Sequence, residues 1–68
     1  MDAVDLRAER LNRGLTAAAA AKQMGLTHKN ILLNAENGSR PYAENAFKIA
    51  SFYGFKVTEV WPLEEAAA

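Results

Sequence analysis

Apolar side chains recur along the chain at the three- and four-residue spacing of amphipathic helices. The first such segment predicts a helix over residues 2–13, whose buried stripe is expected to contain Val4, Ala8, Leu11 and Leu15. The most periodic segment predicts another helix over residues 42–53. Its core positions are expected to be Ala43, Ala46, Phe47, Ala50 and Tyr53, with Ile49 and Phe52 on flanking rows. The pattern therefore indicates an all-α fold.

Between these segments, residues 16–31 predict two helices joined by a very short turn. Thr16 is a good N-cap for an alanine-rich helix over residues 17–24. Gly25 can take the left-handed conformation that ends a helix, and Thr27 offers a second N-cap for a helix over residues 28–35. Helices this close in sequence must cross steeply, which is the arrangement of a helix-turn-helix.

Small and apolar residues support this geometry. The helix crossing requires a small residue one turn before the glycine, and Ala21 occupies that position. Leu26 in the turn and Ile31 in the second helix are expected to close an apolar wedge behind the pair. Ala21, Gly25, Leu26 and Ile31 are thus the predicted structural residues of the motif, whose second helix can enter the major groove of DNA.

The remaining segments complete one predicted domain over residues 1–63, followed by a flexible tail over residues 64–68. Residues 36–41 are a predicted loop in which Glu36 either caps a helix or pairs with an arginine of the first helix. Residues 58–61 predict one capped turn stopped by Pro62. Trp61 and Leu63 are either a lid on the core or part of a dimer contact, and a lid is the favoured interpretation.

Composition restricts the chemistry. The 68 residues contain no cysteine, one histidine, and equal numbers of basic and acidic residues, eight of each. The longest apolar run is too short to span a membrane, and the N-terminus lacks a secretory signal pattern, so a cytoplasmic protein is expected. The segment from Lys22 to Arg40 has three cations and only one anion, Glu36. This local excess favours a basic face on a neutral protein.

The second helix of the motif carries side chains suited to reading base edges. His28 and Lys29 can donate to purine N7 and O6, Asn30 can pair with adenine, and Leu32 can contact a thymine methyl. An inert polar surface is the alternative interpretation. Predicted contacts to the DNA backbone are made by Thr16, Lys22, Gln23, Asn37, Ser39 and Arg40. A solvated face is the favoured interpretation for Arg7, Arg10 and Arg13.

Catalysis and metal binding find little support. The single histidine has neither a cysteine nor paired carboxylates near it in the sequence, which excludes the usual metal-ligand patterns. Ser39 and Ser51 are the only serines, and no nucleophile and base occur as a recognisable pair. We therefore expect neither a catalytic residue, a metal, a cofactor nor a small-molecule ligand.

Taken in order, several fragments resemble the lambda-repressor-like family of Cro/repressor and Xre-type helix-turn-helix regulators. They are residues 6–16, 21–27, 36–38, 40–41, 48–50 and 53–54. The resemblance implies a compact five-helix bundle that binds double-stranded operator DNA, commonly as a homodimer, with His28 and Lys29 as base readers. The chain has one residue more than the common pattern between Ile31 and Glu36, so the third helix is either longer or ends in a bulged turn.

The leading functional hypothesis is a small transcriptional regulator, specifically a phage Cro-like or immunity-type repressor acting in a bacterial cell or phage-infected host. The alternative is an antitoxin-like protein-interaction module whose partner binds a surface containing Tyr53, Trp61 or Leu63. An enzyme is the least supported of the three classes.

Overall fold

The computed structural model describes residues 4–61, which form five α-helices and no strand. In chain order the helices are α1 (Leu6–Asn12), α2 (Ala17–Met24), α3 (Lys29–Glu36), α4 (Ala43–Tyr53) and α5 (Val57–Val60). The predicted all-α, five-helix architecture is confirmed. Leu63 and the predicted tail over residues 64–68 lie outside the described residues.

Helix α1 starts later and faces the core differently than the sequence pattern predicts. Asp5 is extended, and its carboxylate accepts a hydrogen bond of 3.0 Å from the backbone N–H of Ala8, so the helix begins at Leu6. The predicted stripe is correct in part: Val4 and Leu15 pack against the core. The assignment of Leu11 is wrong, since it is 53% exposed whereas Leu6 and Arg10 are buried. The buried pair is spaced i, i+4 and turns the helix so that Arg10 faces the interior.

Helix α2 has the predicted bounds. The Thr16 hydroxyl accepts a 3.1 Å hydrogen bond from the backbone N–H of Ala19, and Gly25 ends the helix at φ +84°. The Leu26 N–H then donates to the Ala21 carbonyl at 2.9 Å, which completes a Schellman motif and carries Leu26 into the core. This motif reverses the chain direction at the end of α2, so that α3 can begin only a few residues later.

Helix α3 buries Leu32 in addition to packing the expected Ile31 against the core. Leu32 has no exposed surface and Ala35 is buried, whereas Ile31 is half-buried. The assignment of Leu32 as a base reader is therefore wrong, because its side chain is enclosed by the core. The helix extends to Glu36, one residue further than predicted, and ends in a Schellman motif in which Ser39 N–H donates to the Asn34 carbonyl at 3.0 Å.

Helix α4 contributes four buried residues to the core, namely Ala46, Ile49, Ala50 and Tyr53. The assignment of Phe47 and Ala43 to the core is wrong: both are exposed, Phe47 to 64%. Helix α5 is a single turn whose Glu59 carboxylate accepts a 2.7 Å hydrogen bond from the Lys56 N–H. Trp61 follows it and is buried, as expected for a lid on the core.

A buried ion pair joins α1 to the end of α3. The Arg10 guanidinium donates from Nε to one Glu36 oxygen at 2.7 Å and from a terminal nitrogen to the other at 3.1 Å. Its remaining terminal nitrogen donates to the Leu15 carbonyl at 3.1 Å. The hydrogen bonds to Glu36 raise the pKa of Arg10. Glu36 is therefore the partner of an α1 arginine, and the solvated face predicted for Arg10 is wrong.

Tyr53 provides a test of this interior. Its hydroxyl is buried and has no hydrogen-bond partner among residues 4–61. A buried polar group without a hydrogen-bond partner destabilises the folded state, so its replacement by an apolar group loses no hydrogen bond. Tyr53→Phe is thus expected to leave the free energy of unfolding unchanged or to raise it by about 1 kcal/mol in urea denaturation at pH 7.

The same variant should change the alkaline limit of stability. Burial raises the pKa of Tyr53, and the Glu36 carboxylate raises it further, so the unfolded chain releases this proton at a lower pH than the folded one. The contribution of this ionisation to the free energy of unfolding is therefore fully present below about pH 10 and declines as the pH rises above that value. Tyr53→Phe should weaken that decline, whereas Tyr42→Phe, at a site 87% exposed, should not. A loss above about 1 kcal/mol at pH 7 would instead indicate a hydrogen-bonded hydroxyl.

Candidate nucleic-acid interface

The N-terminal part of α3 presents a short row of exposed polar side chains. His28, Lys29 and Asn30 are all exposed, and Asn34 is exposed one turn later. Leu33, between them, is half-buried. Because Leu32 is in the core, the exposed row consists of imidazole, ammonium and amide groups only. These groups donate or accept hydrogen bonds, as base-edge contacts require.

His28, and not the predicted Thr27, is the N-cap of α3. Its backbone is extended, and its ring nitrogen Nδ1 accepts a hydrogen bond of 3.1 Å from the backbone N–H of Asn30. This contact satisfies one of the N–H groups that have no partner inside the first turn of a helix. The imidazole is therefore held at the very start of the helix.

A shallow depression of about 350 Å³ lies where α2 and α3 cross. Its lining brings Lys22 from α2 together with His28 and Lys29, next to the buried Ala21 and Leu26. Gln23 is exposed on α2 but does not line this depression. Thr16 is exposed at the start of α2, with its hydroxyl engaged as the helix cap. The predicted structural residues of the turn thus support the same surface that carries two cations and the histidine.

A second hollow, of about 430 Å³, flanks the other side of α3. It is lined by Ser39 and Arg40 from the α3–α4 loop, together with Asn34, Tyr42 and Asn45. Asn37 is not among them. It lines a separate hollow with Asp5 and Glu36, so the structure groups it with carboxylates.

Three further residues at this surface were not identified from the sequence. Lys48 donates from Nζ to the Gly25 carbonyl at 3.3 Å, and its Nζ lies 3.6 Å from a Glu44 oxygen. This contact fixes the turn between α2 and α3 against α4. Tyr42 and Asn45 line the hollow beside Arg40. A tyrosine that follows a proline is only a weak signal of a binding site in the sequence. The contact between Lys48 and Gly25, 23 residues apart, cannot be predicted from any local pattern.

The charge distribution favours an anionic ligand. Residues 4–61 contain eight basic and five acidic side chains, a net charge of +3, whereas Asp2, Glu64 and Glu65 lie outside that range. Within the described part of the chain, Arg10, Arg13 and Lys48 pair with carboxylates. No carboxylate of residues 4–61 lies within ion-pair distance of Lys22, Lys29 or Arg40. Arg7 and Lys56 also have no carboxylate partner within residues 4–61, but they line neither hollow beside α3.

Neither a metal-binding cluster nor a membrane-spanning helix is found within residues 4–61. No group of three or more histidine, cysteine, aspartate or glutamate side chains there could hold a metal ion. No helix in that range has both the length and the apolar content needed to cross a membrane.

Comparison with known proteins identifies the family. A helix-turn-helix family model, HTH_3, matches residues 6–60, which span all five helices. Neither the curated proteins nor the solved structures gave a match. The match and the geometry of α2 and α3 agree with the resemblance noted in the sequence. The chain belongs to the helix-turn-helix family and is a DNA-binding regulator of the Xre/lambda-repressor type.

Proposed function

We propose that this protein is a phage Cro-like transcriptional repressor that inserts α3 into the major groove of an operator. The observation that carries this proposal is the exposed start of α3, flanked on both sides by cations without carboxylate partners among residues 4–61. An α-helix fits the major groove, and flanking cations that contact phosphates hold its register. Repression would follow from occupation of a promoter.

The residues divide into two roles. His28, Lys29 and Asn30 are the proposed base readers, since they are exposed at the end of the helix that enters the groove first. Lys22, Ser39 and Arg40 are the proposed backbone contacts, together with Thr16 and Gln23 at the two ends of α2. We omit Asn37 from this set because it lies beside the carboxylate of Asp5, which would repel a phosphate.

The test of the proposal begins with a selection from random duplex DNA using the full chain. We expect a palindromic site with half-sites about 34 Å apart, which would show two-fold binding by a homodimer. The selected duplex should then bind much more tightly than a scrambled one in fluorescence anisotropy. Affinity weaker than roughly 10⁻⁴–10⁻⁶ M for every duplex at physiological salt would refute DNA binding.

Removal of single cations should reduce the salt dependence of binding. Each phosphate contact contributes about −0.9 to the slope of log K against log salt. Lys22→Gln and Arg40→Gln, at two proposed phosphate contacts, are each expected to weaken binding to the selected duplex and to reduce that slope by about 1 for each bound copy. Lys56→Gln is the matched control, because Lys56 is exposed but lines neither hollow beside α3. Equal slopes for all four proteins would contradict the proposed contacts.

The alternative function, a protein-interaction module, requires a partner to bind a surface that contains Tyr53, Trp61 or Leu63. Tyr53 and Trp61 are buried in the core, and Leu63 lies outside the described residues. The exposed aromatic side chains in the described part of the chain are Tyr42 and Phe47. Phe47→Ala is therefore the variant that separates the two functions: it should retain binding to the selected duplex if the cations beside α3 hold the DNA.

A further inference from the structure

The hydrogen bond that caps α3 also fixes the chemistry of its first side chain. Nδ1 of His28 accepts from the Asn30 N–H, so this nitrogen uses its lone pair and carries no hydrogen. In a neutral imidazole the hydrogen then resides on Nε2. We infer that His28 faces DNA as a hydrogen-bond donor through Nε2, that it contacts N7 of a guanine, and that it prefers guanine to adenine because O6 beside N7 is a second acceptor. This inference rests on the proposed insertion of α3 into the major groove.

Guanine is the base that best fits a single donor in this position. Its major-groove edge offers two neighbouring acceptors, N7 and O6, with no donor between them. Adenine places its N6 amino group beside N7, and cytosine presents only the N4 donor. A ring held as an Nε2–H donor therefore meets only acceptors along the major-groove edge of guanine. With cytosine at the same place, the Nε2–H donor would face the N4 amino group, which is also a donor.

The cap also restricts the motion of the reader. A free histidine side chain samples several rotamers, whereas the 3.1 Å contact to Asn30 holds the His28 ring against the backbone of its own helix. Less conformational entropy is then lost when the ring meets a base. The two nitrogens have separate functions: Nδ1 stabilises the helix, and Nε2 on the other side of the ring is left for the ligand.

The protonation pattern can be tested without DNA. His28 is the only histidine in the chain, so long-range ¹H–¹⁵N NMR of the ¹⁵N-labelled protein reports its ring nitrogens without assignment. We expect a protonated Nε2 and an unprotonated Nδ1 in the neutral ring. A neutral ring protonated on Nδ1 would overturn the inference and leave the proposed function intact.

The contact with DNA is tested by substituting 7-deazaguanine, which lacks N7, for each guanine of the duplex selected by the wild-type protein. At one guanine in each half-site the wild-type protein should lose about 3- to 10-fold in affinity, the effect of one hydrogen bond. His28→Asn keeps an excellent N-cap but lacks the ring, so it should bind more weakly and be insensitive to that substitution.

The outcomes separate the two proposals. If both proteins bind the selected duplex and respond equally at every 7-deazaguanine, His28 does not read N7, although the proposed function stands. The same conclusion follows if the selected sites contain no guanine. If neither protein binds any duplex, the proposed function fails as well. Circular dichroism of His28→Asn should match that of the wild-type protein, which would show that the helices are retained.

Discussion

Glu36→Ala is expected to lower the free energy of unfolding by about 3–5 kcal/mol. The Glu36 side chain is 4% exposed and the Arg10 side chain 9%, and two short hydrogen bonds join them. Removal of the carboxylate leaves the guanidinium buried without its counter-charge. Domains of this size have about 3–10 kcal/mol of stability, so urea denaturation should show a variant that is close to unfolding at 25 °C.

Two comparisons identify the cause of that loss. Glu9→Ala removes the carboxylate of the Arg13 pair, whose side chains are 32% and 40% exposed, and should cost at most about 1 kcal/mol. The double variant Arg10→Met, Glu36→Leu should recover most of the lost stability, because the isolated buried charge is then absent. If Glu36→Ala cost no more than Glu9→Ala, the pair would be solvated and α1 would be held by apolar contacts alone.

The elements that could be predicted from the sequence are those defined by local signals. Helix α2 has the predicted bounds because a threonine cap and a left-handed glycine both act within a few residues of the helix ends. The short turn to α3 follows from the same glycine. The N-cap of α3 was misassigned to Thr27, since both Thr27 and His28 can accept a hydrogen bond and their order does not decide which one does.

The facing of the helices could not be predicted as well, because it depends on distant partners. The predicted stripe of α1 contained Leu11, but the position of Glu36, 26 residues away from Arg10, turns Arg10 inwards and leaves Leu11 exposed. In α4 the row of Ala46, Ile49 and Ala50 is buried, and Phe47 lies outside it. A large aromatic residue at helical spacing therefore did not indicate the core.

In the candidate site, too, the position of the segment could be predicted from local signals, whereas the facing of its helix could not. The segment that carries it could be located from the helix-turn-helix spacing, and Lys22, Lys29, Ser39 and Arg40 line the hollows on either side of α3. The excess of cations between Lys22 and Arg40 predicted this basic surface even though the net charge of the whole chain is zero. The facing of Leu32 was predicted wrongly, because successive residues of a helix are only about 100° apart and a small rotation of α3 about its axis moves Leu32 from the exposed face into the core.

The burial of Leu32 leads to the second large expected effect on stability. Leu32→Ala is expected to lower the free energy of unfolding by about 2–5 kcal/mol, because Leu32 has no exposed surface and its truncation leaves a cavity in the core. A base reader would behave differently: it would lose affinity or specificity for DNA while the stability of the domain stayed the same. Urea denaturation and selection from random duplex DNA, applied to the same variant, therefore distinguish the two roles.

Leu11→Ala is the matched control for this experiment. It makes the same change of side chain at a helical position 53% exposed, so it should cost less than about 1 kcal/mol. At a temperature where Leu32→Ala is still mostly folded, its selected sequence should equal that of the wild-type protein, since its effect on DNA binding acts only through the folded fraction. A stable Leu32→Ala protein with an altered base preference would place Leu32 in the groove and would require α3 to rotate when it binds DNA.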